Sequence, residues 1–195
     1  MTATRSRTYL IPKRNRDMLD KLEFSLEMGK SVIVNLSICL LAKNLRDVCK
    51  LYCCDTVSAK EIIHRELYTQ RGYHIISQIY GLPEFQENQA IFSMPEEATD
   101  LIRRDYLITE RTYGILNTLE FNMKSRLFEI VNMGMDLFVM SLRDISDAKG
   151  CSLADARDIV CDSLKDESYS LLISQIFYHQ DIPLATSDLA VGMKA

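Results

Sequence analysis

The chain has 195 residues, of which 47% are hydrophobic and 26% are charged, with only 7 glycines, 4 prolines and no tryptophan. This composition excludes wholesale disorder and is sufficient to bury a core. The longest apolar run, Val32 to Ala42, is interrupted by Asn35 and Ser37 and is shorter than a membrane span. The N-terminus lacks the apolar core of a signal peptide. We therefore expect a cytoplasmic protein without a membrane segment, whose six cysteines are thiols.

The sequence repeats itself at an offset of 97 residues. Between residues 19 and 79, 19 of 61 positions are identical to the position 97 residues later, without a gap. The identities include Leu22-Glu23-Phe24 with Leu119-Glu120-Phe121, and Ile33-Val34-Asn35 with Ile130-Val131-Asn132. This self-similarity predicts two tandem homologous modules with pseudo-twofold symmetry.

The repeat and the distribution of charge divide the chain into five parts. We predict a basic N-terminal arm (1–16), a first helical module (17–81), an acidic linker with a helix (82–113), a second helical module (114–178) and a C-terminal tail (179–195). Asn35 and its equivalent Asn132 are expected to be buried hydrogen-bonding groups that fix the packing of the modules.

Each module is expected to contain helices only, because the period-two alternation of half-buried strands is absent; the predicted fold class is all-α. Apolar residues three or four positions apart predict a long helix that ends before Cys53-Cys54-Asp55, and an equivalent helix that ends before Gly150-Cys151-Ser152. Asp55 and Ser152 then serve as N-caps. Gly29 separates the first two helices of the first module. The second module has no such breaker at residues 125–128, so its first two helices are expected to run together.

In each module, the long helix, the break and the capped helix predict a helix-turn-helix-like unit. Residues 1–81 carry a net charge of +5 and residues 82–195 a net charge of −9, which assigns phosphate contacts to the first module. The predicted nucleic-acid-binding residues are Arg5, Arg7, Lys13, Arg14 and Arg16 in the arm, and Ser58, Lys60, His64 and Arg65 on the candidate reading helix. Ordinary helix packing and a solvated terminus are the alternatives.

The second module is assigned to a protein partner or to a second copy of the chain. The predicted contact residues are Met133, Met135, Phe138 and Met140 on the long helix, and Asp155 and Asp158 on the capped helix. The alternative for the apolar residues of this set is an ordinary core.

No metal, cofactor, small-molecule substrate or enzymatic activity is expected. Cys54, His64, Cys151 and Cys161 could in principle hold zinc. However, Cys54 and Cys151 occupy apolar positions at the turn, and no Cys-x-x-Cys pair occurs. The three histidines have no partner at motif spacing, and no glycine-rich phosphate loop is present.

Two stretches of the first module resemble known regulators. The stretch Val34-Asn35-Leu36-Ser37, with Leu40-Leu41-Ala42 and Leu45, resembles the long helix of the bacterial flagellar regulator FlhD. The stretch from Leu45 through Val48 to Cys54, with Ala59 and Ile62, is similar to the helix-turn-helix region of its partner FlhC. The resemblance implies an all-α transcription regulator that acts in a complex. The four-cysteine zinc cluster of FlhC is missing here, and neither family is built as a tandem duplication.

The sequence therefore predicts a DNA-associated transcriptional regulator in a multi-subunit complex, in which the first module contacts nucleic acid and the second a protein. The alternative is a helical protein-protein adaptor or assembly subunit that binds no nucleic acid. A third possibility is an enzyme with an unrecognised site between the modules.

Overall fold

The computed structural model describes residues 4–68, 80–82 and 100–165. In chain order these residues form β1 (Thr4–Pro12), α1 (Lys13–Leu26), α2 (Lys30–Tyr52), α3 (Thr56–Tyr68), β2 (Leu101–Thr109), α4 (Glu110–Met123), α5 (Leu127–Lys149) and α6 (Leu153–Lys165). The predicted C-terminal tail (179–195) lies outside the described residues, as does much of the predicted linker.

The protein is mostly helical, as predicted, but β1 and β2 form a two-stranded sheet, so the all-α prediction is wrong for these strands. Residues 4–12 of the predicted arm are β1, and residues 101–113 of the predicted linker are β2 and the start of α4. Alternating burial is confined to Tyr9 and Ile11 in β1 and to Tyr106 and Ile108 in β2. The beginning of each strand is largely exposed, so the sequence shows too little alternation to indicate a strand.

Each element of the second half begins and ends 97 residues after its counterpart in the first half. β1 and β2 pair antiparallel, from Thr4 opposite Thr109 to Pro12 opposite Leu101. At the centre of this ribbon Thr8 lies opposite Asp105, the residue that corresponds to it in the second half, 97 positions later. The Thr8 hydroxyl donates to the Asp105 carboxylate. The register is therefore symmetric about an axis between these two residues.

The two long helices, α2 and α5, pack on each other at the centre of the core. Their approach is so close at Gly134 that a Cβ atom there would lie 3.0 Å from the carbonyl oxygen of Ser37. Ser37 and Gly134 are again 97 residues apart. Equivalent positions therefore face each other in the long helices, as they do in the ribbon.

The last helix of each half reaches across to the other half. Lys60 in α3 donates to the carbonyl oxygen of Met123 at 3.5 Å, and the equivalent Arg157 in α6 donates to the carbonyl oxygen of Leu26 at 2.6 Å. Each contact ends on the last residue of the first helix of the opposite half. The two halves consequently pack on each other around one shared core.

The predicted turns are confirmed in part. The amide of Ser58 donates to the Asp55 carboxylate at 2.7 Å, and Ser152 and Asp155 form a reciprocal capping box with two bonds of 3.1 Å. The prediction that the first two helices of the second half run together is wrong, because α4 ends at Met123. Lys124 then ends the helix in the left-handed region, with φ of +49°. No glycine or proline at this point indicates a helix end in the sequence.

No single helix among the described residues is long and apolar enough to cross a membrane. α1 and α2 meet the requirements of length and composition only as a pair, and they are bent by 103° at the break between them.

Asp144 in α5 is a buried carboxylate that lacks the partners of its equivalent in α2. That equivalent, Asp47, accepts from Lys43 at 2.7 Å and from Arg46 at 2.6 Å. Met140 replaces the lysine in α5, and one carboxylate oxygen of Asp144 has no hydrogen-bond partner. Burial raises the pKa of Asp144 to about 6.

We expect Asp144→Asn to stabilise the protein at pH 7. The raised pKa of Asp144 means that its contribution to stability is fully present below about pH 4, where the unfolded carboxyl is also protonated, and is lost as the pH rises through about 6. The substitution should therefore recover about 1–3 kcal/mol at pH 7 and flatten the pH dependence between 4 and 7. Urea unfolding at both pH values measures this. The exposed Asp162→Asn on α6 is the control, because its charge has no part in the raised pKa of Asp144. An unchanged pH dependence in Asp144→Asn would contradict the expectation.

Candidate nucleic-acid interface

The ribbon formed by β1 and β2 has one face on the core and one face towards solvent. On the inner face, Tyr9, Ile11, Tyr106 and Ile108 are buried, and the rings of the two tyrosines stack with 6.5 Å between their centroids. The outer face carries the alternate residues; around its centre these are Ser6, Thr8, Leu10, Arg103, Asp105 and Leu107, all of which are exposed.

Side chains of the long helices hold both outer edges of the ribbon. Asn35 in α2 donates to the carbonyl oxygen of Leu107 at 2.8 Å and accepts from the amide of Thr109 at 3.0 Å. Its equivalent in α5, Asn132, donates to the carbonyl oxygen of Leu10 at 3.4 Å. These bonds satisfy backbone groups that an edge strand would otherwise expose. Both asparagines are therefore hydrogen-bonding groups between the halves, and they fix the position of the ribbon. Asn132 is buried, as predicted, whereas Asn35 is only partly buried.

The ribbon is basic, since its two strands contain four arginines and one aspartate. Arg5 pairs with Glu110 at 2.5 Å, and the Arg7 guanidinium lies 4.6 Å from the centre of the Tyr113 ring. Arg104, the equivalent of Arg7, is exposed on the opposite flank. Arg103 lies on the outer face and forms no hydrogen bond or ion pair with any other residue in the described ranges.

Two grooves at equivalent positions flank the ribbon. Arg7 lies in the groove beside α4 and Arg104 in the groove beside α1. The groove beside α4 has Tyr113, Leu116, Leu127 and Phe128 in its wall, together with the polar Asn117 and Glu120. The groove beside α1 is charged, and its wall includes Arg16, Asp20, Glu23 and Lys30. The two flanks therefore lie at equivalent places but differ in their lining residues.

The predicted arm residues do not form one basic surface. Arg5 and Arg7 belong to the ribbon, and Lys13 is exposed in the first turn of α1. Arg14 is directed inwards and pairs with the buried Asp136 at 3.0 Å, whereas Arg16 pairs with its neighbour Asp17 at 2.7 Å. The five residues therefore do not form a single basic arm, and residues 4–12 are not a frayed terminus, because they form β1.

The predicted reading helix, α3, is directed partly towards the second half of the protein. Lys60 donates to the Ser125 hydroxyl at 3.2 Å, and the His64 ring lies 4.8 Å from the ring of Tyr68. Lys60 and His64 line a cavity of about 260 Å³ together with Ser125, Glu129 and Met133 of the second half. The backbone of Ser58 belongs to the N-terminal cap, and only Arg65 of the predicted set is fully exposed. Because Lys60 and His64 face the second half, α3 presents few of its predicted DNA-contacting side chains to solvent.

The apolar residues predicted to contact a partner are in the core. Met133, Met135, Phe138 and Met140 are all buried, because α5 packs on α2 and is covered by the rest of the chain. This corrects their assignment to a partner surface. The two acidic residues of that set are exposed; Asp155 caps α6, and Asp158 pairs with Arg157 at 2.8 Å.

A buried polar cluster joins three elements behind the ribbon. Asp136 in α5 accepts from the Tyr68 hydroxyl at 2.6 Å and from Arg14 at 3.0 Å. Asp136 is completely buried, and this desolvation raises its pKa to about 6 in spite of the nearby arginine. Sequence reasoning missed the cluster, although an aspartate within an apolar helix was a signal for it.

The cysteines do not assemble a metal site in the part of the chain that the structure describes, where no three potential ligands come together. All six are free thiols. Burial raises the pKa of Cys49 to about 12 and also raises those of Cys54 and Cys161, which favours the protonated form over the thiolate that binds metals.

Comparison of the chain with protein families, with curated proteins and with solved structures gives no match. The resemblance to FlhD and FlhC therefore rests on the quoted residues alone.

Proposed function

We propose that the protein is a DNA-associated transcriptional regulator that inserts the β1–β2 ribbon into the major groove. The observation that carries this proposal is a basic two-stranded ribbon whose outer face is solvent-exposed while its inner face is anchored on the core. Two strands about 4.8 Å apart fit a groove about 12 Å wide. Antiparallel ribbons are an established means of reading DNA.

The positions of the flanking arginines support the proposal. Arg7 and Arg104 are equivalent, exposed and placed on opposite flanks of the ribbon. A ribbon in the groove lies between two phosphate backbones, so one arginine would serve each backbone. In this proposal the ribbon occupies the major groove of DNA, and α3 has a structural role.

We also propose that the two halves are copies of one ancestral module. The repeated sequence, the constant spacing of 97 residues between elements and the symmetric register of the ribbon support this. Exposed aromatic side chains at equivalent positions, Phe24 and Phe121, support contact with a protein partner, because both copies retain them at the surface.

We expect Arg7→Gln/Arg104→Gln to weaken binding to duplex DNA at low salt. Each phosphate contact contributes about 0.9 to the slope of log K against log salt, so the double variant should lower that slope by about two. Fluorescence anisotropy with a labelled duplex across a salt series measures it. Residues 1–16 should not be deleted for this test, because Ile11 is fully buried in the core.

The matched control is Lys50→Gln/Lys149→Gln, which removes the same charge from the far ends of α2 and α5. These lysines lie about 25 Å along the helix axis from Asn35 and Asn132, which hold the ribbon. The control should leave the slope within experimental error of the original protein. An equal effect of both variants would indicate nonspecific attraction.

The rival function is the helical adaptor, and one observation favours it. Leu10, Leu101 and Leu107 are 37%, 40% and 54% exposed on the ribbon, where a protein partner could cover them. Leucines also contact thymine methyl groups in the major groove, so they fit both functions. Absence of duplex binding at low salt, with the protein folded, would favour the adaptor.

A further inference from the structure

The outer face of the ribbon is symmetric in shape but not in chemistry. Three cross-strand pairs form its central part: Thr8 with Asp105 at the centre, Leu10 with Arg103 on one side, and Ser6 with Leu107 on the other. The symmetry of the register exchanges the two side pairs, so that each side presents one leucine and one further residue.

The residues that accompany the two leucines differ. Leu10 and Leu107 are equivalent and identical, whereas Ser6 is equivalent to Arg103. One side of the centre therefore carries a long cation with a planar fork of donors, and the other a short hydroxyl. Arg103 is exposed and forms no hydrogen bond or ion pair with the rest of the described chain, so its guanidinium is available to a ligand.

These side chains have distinct base preferences. Arginine forms a bidentate contact with O6 and N7 of guanine, leucine packs on the thymine methyl group, and serine accepts or donates without strong preference. The central pair carries the only negative charge of the ribbon, Asp105, which accepts from Thr8. A carboxylate at this point favours the amino groups of cytosine and adenine over the acceptor oxygens of guanine and thymine.

We propose that one chain reads an asymmetric duplex site, in which Arg103 selects a guanine in one half and Ser6 leaves the equivalent position of the other half unspecified. This rests on the proposed function, since it requires that the ribbon binds DNA. Arg103 is then the residue that distinguishes the two half-sites. The symmetric scaffold places both half-sites at the same distance from the centre.

The test is selection of bound duplexes from a randomised pool, followed by sequencing and by affinity measurement on the enriched site. The original protein should enrich a site with a guanine in one half only. Arg103→Ser, which copies the residue of the other half, should abolish that preference. The discrimination at this base should fall by about 5- to 150-fold, the range that one bidentate contact provides.

The reciprocal variant, Ser6→Arg, should enrich a palindromic site with a guanine in both halves. Arg104→Gln serves as the control, because it removes a flanking charge and should weaken binding without a change in base preference. A symmetric site for the original protein, or a guanine preference that survives Arg103→Ser, overturns this inference while the proposed function stands. No binding of duplex DNA at low salt by the folded protein overturns both.

Discussion

Asp136→Ala is expected to lower the free energy of unfolding by about 3 kcal/mol or more at neutral pH. The carboxylate is completely buried and accepts hydrogen bonds from both Tyr68 and Arg14. Its removal leaves the Tyr68 hydroxyl, which is itself buried, without an acceptor, and takes a counter-charge away from Arg14. Breaking a buried ion pair from one side typically costs about 3–5 kcal/mol.

The conservative variant separates charge from hydrogen bonding. Asp136→Asn retains an acceptor for the Tyr68 hydroxyl, so it should cost less than the alanine variant. Its cost should be larger at pH 5 than at pH 7, because burial raises the pKa of Asp136 to about 6. The original protein therefore gains stability as this carboxyl is protonated on lowering the pH, whereas the asparagine variant does not. Urea unfolding followed by circular dichroism at pH 5 and pH 7 measures both effects.

The exposed Asp158→Ala is the matched control, since its carboxylate pairs only with a neighbour on the surface of α6. Its effect should stay below about 0.5 kcal/mol. If Asp136→Ala proves as harmless as this control, the cluster does not join α1, α3 and α5 in the way described.

Gly134→Val should be the most damaging single substitution in the α2–α5 contact, at about 3 kcal/mol. A Cβ atom at Gly134 already meets the Ser37 carbonyl oxygen at 3.0 Å, and that oxygen is backbone, so it cannot rotate away. The added methyl groups therefore force the two long helices apart. Because the ribbon is bonded to both helices through Asn35 and Asn132, DNA binding should fall as well.

A graded series tests this explanation. Gly134→Ala combines one tight contact with a gain in helix propensity of about 1 kcal/mol, so its net effect should be small. Ser141→Ala, on the same helix, removes a buried hydroxyl that has no hydrogen-bond partner, and it should be neutral or stabilising. Thermal unfolding of the three variants gives the order. A valine variant as stable as the original protein would rule out the close crossing.

The sequence alone was sufficient for features that depend on neighbouring residues. The apolar periodicity of α2 and α5 and the caps at Asp55 and Ser152 arise from interactions within one or two helical turns. Such interactions leave a pattern in any short window of sequence. The break at Lys124 escaped prediction because a lysine in the left-handed region has no distinctive local signal.

The tertiary structure alone decided where the candidate interface lies. Thr8 and Asp105 pair although 97 residues separate them, and short stretches of the two strands show little alternation. In the sequence Arg14 is one of a run of basic residues, but in the fold it pairs with the buried Asp136. The sequence made Met133 and Phe138 candidates for a partner surface, but both are buried where α5 packs on α2.

The distribution of charge between the halves indicated the N-terminal arginines as the nucleic-acid-binding residues. Pairing of β1 with the distant β2 places part of that predicted arm in a ribbon that is anchored on the core. Contacts of this kind depend on the path of the chain through space, which no local pattern of residues records.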